Sequence, residues 1–159
     1  MTTERTLELR PIGSVVVGRP WPADQAPWPQ EAVSEIEIDP ALGEGLEGLE
    51  EFSHIWILWW LDRSQKAPSS LKVRPEGRPE KPLVGLFATR SPRRPNPIAL
   101  TAVQLLAREG TRLRVSGLDA ARGTPVLDIK PYLRRGDCIP EATMAHWVDE
   151  LWRLHDEGK

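Results

Sequence analysis

The sequence predicts a mainly β domain, an antiparallel barrel or sandwich with one helix near its C-terminal end. Short apolar or alternating runs recur along the chain, each bounded by Gly, Pro, Asn or Asp. No long helical pattern alternates with them, which argues against a doubly wound parallel sheet. Helical spacing is confined to Met144, Trp147, Val148, Leu151 and Trp152, in a segment that Pro140 and Glu141 open and that extends to about residue 156.

The strand candidates follow in order. Ile12 to Val17 is short and β-branched, and a Pro- and Trp-rich loop follows it from Gly18 to Gln30. Glu35-Ile36-Glu37-Ile38 alternates with the period of a half-buried strand, and Pro40 ends it. His54 to Leu61 carries Trp56, Trp59 and Trp60 in an apolar run rich in strand formers. Leu83 to Thr89, Leu100 to Ala107, Arg112 to Gly117 and Val126 to Lys130 complete the set, with Glu109-Gly110 as a hairpin turn. The stripe on the C-terminal helix reads as a face docked on the domain's own core, with dimerisation as the second reading.

At 159 residues the chain fits one domain, its core over about residues 10–135 and its helix over about 140–156. No apolar run approaches the roughly 20 residues of a membrane span, and no signal-peptide pattern opens the chain. Cys138 stands alone, so a disulfide framework is excluded and a cytoplasmic protein is expected. One Cys with His54, His146 and His155 forms no readable metal site.

A net charge of −2 argues against a uniformly basic nucleic-acid binder, but the charge is unevenly distributed. From Arg63 to Arg94 the cations are Arg63, Lys66, Lys72, Arg74, Arg78, Lys81, Arg90, Arg93 and Arg94, opposed by Glu76 and Glu80. Ala32 to Glu51 has many acids and no Lys or Arg. A basic face suited to a phosphate-bearing partner and a merely solvated basic loop are both consistent with this run.

The loop Arg90-Ser91-Pro92-Arg93-Arg94-Pro95-Asn96-Pro97 is the most informative stretch. Its prolines fix φ and remove backbone donors, so the loop is stiff and its arginines and Asn96 are held in place. A different stretch, Gly43-Glu44-Gly45-Leu46-Glu47-Gly48, matches the dinucleotide fingerprint by letter. Its glutamates would lie against phosphate and no long helix follows, so it reads as a turn or a short acidic helical turn.

Val84–Thr101 resembles the signature of the TsaA-like (TrmO) family, G-[VI]-F-[AS]-T-R-S-x-x-R-P-N-P-I-G-[LM]-[ST], with Ala99 replacing the last Gly. Gly45–Trp56 is similar to that family's G-L-x-G-[LI]-E-x-F-S-H-[LI] block. Gly117-Leu118-Asp119 with Gly123–Tyr132 is similar to its L-D-x-x-D-G-T-P-[VL]-[LV]-D-I-K-P-Y block. Ile12-Gly13 and Trp28-Pro29-Gln30 match weaker positions, so the resemblance covers about residues 10–135.

The resemblance implies a single-sheeted antiparallel β-barrel that uses S-adenosylmethionine to methylate N6 of threonylcarbamoyladenosine at tRNA position 37. It also implies a homodimer with the cofactor near the subunit boundary, and the tRNA anticodon loop as partner. Carried over by position, cofactor contacts fall on Pro29, Gln30, Asp62, Arg63, Arg90, Leu100, Arg122, Gly123, Thr124 and Pro125. The chain departs from the pattern at Asp62-Arg63, where many members have His-Gln, and at Arg122, where many have Asp. Longer members carry a further C-terminal domain that engages tRNA, and Leu133 to Lys159 is too short for one.

Substrate-binding candidates are Arg93, Arg94, Asn96, Asp128, Lys130 and Tyr132. Arg90 suits a carboxylate, a phosphate or a rim ion pair. Asn96 suits an adenine edge or a turn. Asp119 and Asp128 read either as structural acceptors or as carboxylates beside the cofactor's sulfonium. Lys130 suits a phosphate or an acid, and Tyr132 offers a ring face or a hydroxyl. His54 reads as structural, Trp56, Trp59 and Trp60 as core or interface, and Trp21 and Trp28 as stacking or interface residues. No catalytic base is identified. Two alternatives remain open: a methyltransferase of another RNA or a small molecule, and a nucleic-acid-binding barrel without turnover.

Overall fold

The computed structural model describes residues 6–22, 28–64 and 69–158. They form two compact units, one from residues 1–65 and 96–132, the other from residues 66–95 and 133–159. Lys66 of the basic run lies outside the described residues.

The first unit is a closed antiparallel barrel. Its strands are β1 (Gly13–Val17), β2 (Val33–Ile38) and β3 (His54–Trp60). In the other unit a two-stranded ribbon pairs β4 (Lys72–Val73) with β5 (Val84–Gly85). The barrel continues with β6 (Ile98–Glu109), β7 (Arg112–Ser116) and β8 (Pro125–Pro131), in the closed order β1-β2-β7-β6-β3-β8. Closure removes every sheet edge, and β1 seals the ring against β8 through Gly13↔Val126 and Ser14↔Pro125.

Alternation in the strands fills the barrel. Val15, Ile36, Ile38, Ile55, Ile57, Val103, Leu113, Val115 and Val126 are each at most 1% exposed and pack as one core. The tight hairpin from β6 to β7 uses Gly110 at φ +61°, where any larger residue would strain the turn. Outside, Glu37 accepts from Thr111 Oγ1 at 2.6 Å and Arg112 Nε at 2.8 Å. These bonds, Thr111's first, hold its carboxyl below the usual carboxylate value. The dinucleotide-like stretch ends one 3-10 turn, Pro40–Leu46, and leads through Glu47 and Gly48 into a second, Leu49–Glu51; the first is capped by Asp39 accepting from Ala41 N–H.

The second unit departs from sequence expectation at one strand. By its sequence Leu83 to Thr89 reads as a single strand, but only Val84–Gly85 is a strand, and Leu86–Ala88 is a 3-10 turn. The Thr89 hydroxyl and N–H both donate to the Leu86 carbonyl, at 2.7 and 3.1 Å, which closes the turn. After a short helix α1 (Arg134–Asp137), the longer helix α2 spans His146–Asp156, starting later than Pro140. Lys81, 4% exposed, donates to Glu150 on α2 at 2.7 Å, and His155 Nε2 lies 2.7 Å from Glu76. The Lys81 bond holds the Glu150 carboxyl below its usual value.

A candidate cofactor rim on the barrel

Antiparallel alternation sorts the barrel's connections onto two ends. One end gathers the exits of β1, β3 and β7 and the entries of β2, β6 and β8. It therefore collects Pro29 and Gln30 before β2, Asp62 and Arg63 after β3, Leu100 near the start of β6, and Arg122 to Pro125 leading into β8. Residues far apart in sequence share this rim for a topological reason.

Backbone bonds fix the rim. The 122–125 turn is held by Gly123 N–H donating to Val15 O at 2.7 Å and Val15 N–H donating to Thr124 O at 3.0 Å. Thr124 is 2% exposed. Gly123 has φ +87°, and an added Cβ would lie 3.6 Å from Arg63 Nη2. The Gln30 carbonyl accepts from Ser116 Oγ at 3.0 Å, and the Pro29 carbonyl accepts from Ala32 N–H at 3.0 Å.

The two positions that depart from the TsaA-like pattern touch each other. Arg63 Nη2 donates to the Arg122 carbonyl at 2.6 Å, and its guanidinium lies 5.3 Å from the centre of the Trp21 ring. One side chain thus ties the β3 exit, the β8 entry and the Trp loop together. No sequence pattern signals this, because the acceptor is a backbone carbonyl. Asp62 carries no hydrogen bond or ion pair with a described residue, and Trp28 buries its indole N–H without a partner among the described residues. Across the rim Arg19 binds Asp119 at 2.9 Å, which gives Asp119 a structural partner.

Leu100 completes the set at this end, and the candidates outside it are dispersed. Leu100 is 52% exposed on the outer barrel face, opposite Leu58, and Asp128 flanks Leu58 from the other side. Asp128 is paired with Lys130 Nζ at 2.8 Å. Tyr132 lies past the far end of β8, its ring 5.5 Å from Trp56 and 6.4 Å from exposed His54, at the opposite end of the barrel from Pro125. Asn96 accepts from Ile98 N–H through its carbonyl at 2.8 Å. Arg90, Arg93 and Arg94 belong to the second unit. There Arg94 Nη1 donates to the carbonyls of Thr89 at 2.8 Å and Ser91 at 3.3 Å, so this arginine builds the loop. Arg90 and Arg93 are exposed and make no such bond with a described residue. Of the remaining cations of the basic run, Arg74 donates to the Lys81 carbonyl, Lys81 is buried with Glu150, and Arg78 binds Glu76.

Residues 20–138 match the family described as tRNA-methyltransferase O N-terminal domain. The chain belongs to this family. An S-adenosyl-L-methionine-binding protein of Archaeoglobus fulgidus is 43% identical over 135 residues, covering 82% of this chain and 93% of that protein. A human tRNA (adenine(37)-N6)-methyltransferase is 47% identical over 104 residues, covering 65% of this chain and 23% of that protein. A crystal structure of TrmO from Pseudomonas aeruginosa superposes with a TM-score of 0.73 at 32% identity, over 92% of this chain and 64% of that one. The chain thus spans most of the archaeal relative and only part of the other two. Within this TrmO-family domain, α2 lies beyond the matched residues. Among the described residues there is no metal-ligand cluster, and no helix is long and apolar enough to cross a membrane.

Proposed function

We propose that this chain is an S-adenosylmethionine-dependent methyltransferase of tRNA, acting on N6 of threonylcarbamoyladenosine at position 37. The observation that carries the reading is the gathering of Pro29, Gln30, Asp62, Arg63, Leu100 and the 122–125 turn at one barrel rim. The relatives named for S-adenosylmethionine binding and for adenine(37)-N6 methylation support it.

The donor set of the rim suits this cofactor. The Asp62 carboxylate is available for hydroxyls or for a positive charge, Leu100 presents an apolar surface, and Gly123 lets a ligand approach the backbone closely. When bound, the cofactor supplies an electrophilic methyl group on sulfur. The chain's contribution is positioning: a rim locked by backbone bonds and by the Arg63–Arg122 link holds two reactants at attack distance and excludes water. The N6 proton departs in the course of the transfer, and no base is assigned to take it.

The homodimer is part of the same proposal. The pairs Trp60–Ile98, Leu58–Leu100 and Trp56–Ala102 lie on one face of β3 and β6, and Ile98 and Leu100 are 39% and 52% exposed, an apolar surface suited to a partner. A cytoplasmic setting is proposed with it.

Calorimetry with S-adenosylmethionine, together with methyl transfer to tRNA carrying threonylcarbamoyladenosine, tests the reading. Cofactor binding and transfer to the modified nucleoside are expected. A folded sample that binds no cofactor would sink it. Sedimentation tests the dimer, and a monomer at assay concentration removes that part.

A further inference from the structure

The second unit contains a cleft of about 1160 Å³, walled by stretches within 69–77, 87–93 and 144–155. This is above the roughly 300–1,000 Å³ usual for a small-molecule site. Two large aromatic side chains on its walls are left in water, Phe87 at 74% exposure and Trp152 at 56%. Arg94 covers one face of Phe87, with its guanidinium 5.8 Å from the ring centre. Both rings present open faces on which a planar group can stack.

The charge on the walls is one-sided. Lys72, Arg74, Arg90 and Arg93 line the cleft against a single carboxylate, Glu76. Glu76 is already engaged by Arg78 at 3.0 Å and His155 at 2.7 Å. Arg74 is occupied by the Lys81 carbonyl, while the side chains of Lys72, Arg90 and Arg93 have no hydrogen bond or ion pair with a described residue. The cleft thus offers three free cations beside two bare ring faces. An apolar helix would leave the cations unmatched, and an acidic peptide would leave the rings unmatched. Unpaired nucleotides satisfy both, with bases on rings and phosphates on cations.

We propose that this cleft binds a single-stranded RNA segment flanking the methylated base, with bases stacked on Trp152 and Phe87 and phosphates on Arg93 and Lys72. The assignment rests on reading the protein as an RNA methyltransferase. It extends that reading to α2, which lies outside the residues matched to the family.

The test measures binding of a labelled anticodon stem-loop RNA by anisotropy for the full chain, Trp152→Ala, Trp152→Phe and Arg93→Ala. S-adenosylmethionine calorimetry and methyl-transfer kinetics accompany it. Trp152→Ala is expected to weaken RNA binding about tenfold and to raise KM for RNA, with cofactor affinity unchanged. Trp152→Phe, which keeps a stacking face, is expected to restore most of the loss. Arg93→Ala is expected to lower the slope of log affinity against log salt by about one. Unchanged RNA affinity in Trp152→Ala overturns the assignment, as does equal loss in the Ala and Phe variants, or tighter binding to vesicles of anionic phospholipid than to RNA. A wild type that binds RNA through Trp152 but transfers no methyl group breaks the proposed function and leaves the cleft standing. Full transfer with an unaltered KM in Trp152→Ala does the reverse.

Discussion

In the barrel unit each of the six strands contributes at least one fully buried aliphatic side chain to a common core. In the helix-bearing unit the buried apolar side chains are Leu86 and Leu151, joined by Pro75 and the aliphatic stem of Lys81. The barrel is held by apolar area removed from water. The second unit relies on a few polar links: Lys81 to Glu150, His155 to Glu76 and Arg74 to the Lys81 carbonyl. The difference teaches that the barrel is secured by apolar burial, while the unit that holds the cleft is secured by a few polar links around a small buried cluster.

The largest effect expected is in the barrel. Ile57→Ala removes a side chain with no exposure and should cost about 2–5 kcal/mol in denaturant unfolding. A smaller loss would mean the barrel interior collapses around the gap, blurring the contrast. Next, Gly123→Ala forces a side chain into a positive-φ turn and should cost about 1–2 kcal/mol. It should also weaken cofactor binding, measured by calorimetry.

In the second unit, Glu150→Ala leaves the Lys81 ammonium buried without its carboxylate. Hydrogen exchange should quicken in His146–Asp156 while β3 and β6 amides keep their protection. Equal acceleration in the barrel would show that the two units do not open separately. Acid gives the mildest version of the same test. The Glu150 carboxyl is lowered chiefly by the Lys81 hydrogen bond, so its stabilising contribution is fully present above the ordinary value of 4.5 and is lost as pH falls through the lowered folded value. Helix protection, corrected for the intrinsic pH dependence of amide exchange, should therefore fall on acidification below 4.5, and Glu150→Gln should flatten this dependence.

The barrel was legible because alternation is a local signal. Glu35-Ile36-Glu37-Ile38 states both its strand and its inward face, and β3, β6, β7 and β8 follow with boundaries shifted by one or two residues. The second unit was less so. Lys72–Val73 is too short to carry a period, and Leu86 leaves the extended conformation because of the hydroxyl of Thr89. Lys81, between Glu80 and Pro82, reads as a surface charge, yet its burial depends on a carboxylate 69 positions away. Within the loop, the sequence marked three arginines alike, and only backbone geometry separates Arg94, which builds the loop, from Arg90 and Arg93, which face outward from it. The resemblance names the rim positions as candidates, while their convergence at one end of the barrel follows from the topology of the ring.

The Lys81–Glu150 link has a consequence for the order of assembly. Its partners are separated by β6, β7 and β8, so before those strands pair, closing the link carries the entropy of a long loop. Ring closure shortens the effective loop and lowers that cost. The two stretches of chain that wall the cleft are therefore easier to bring together once the intervening strands have paired.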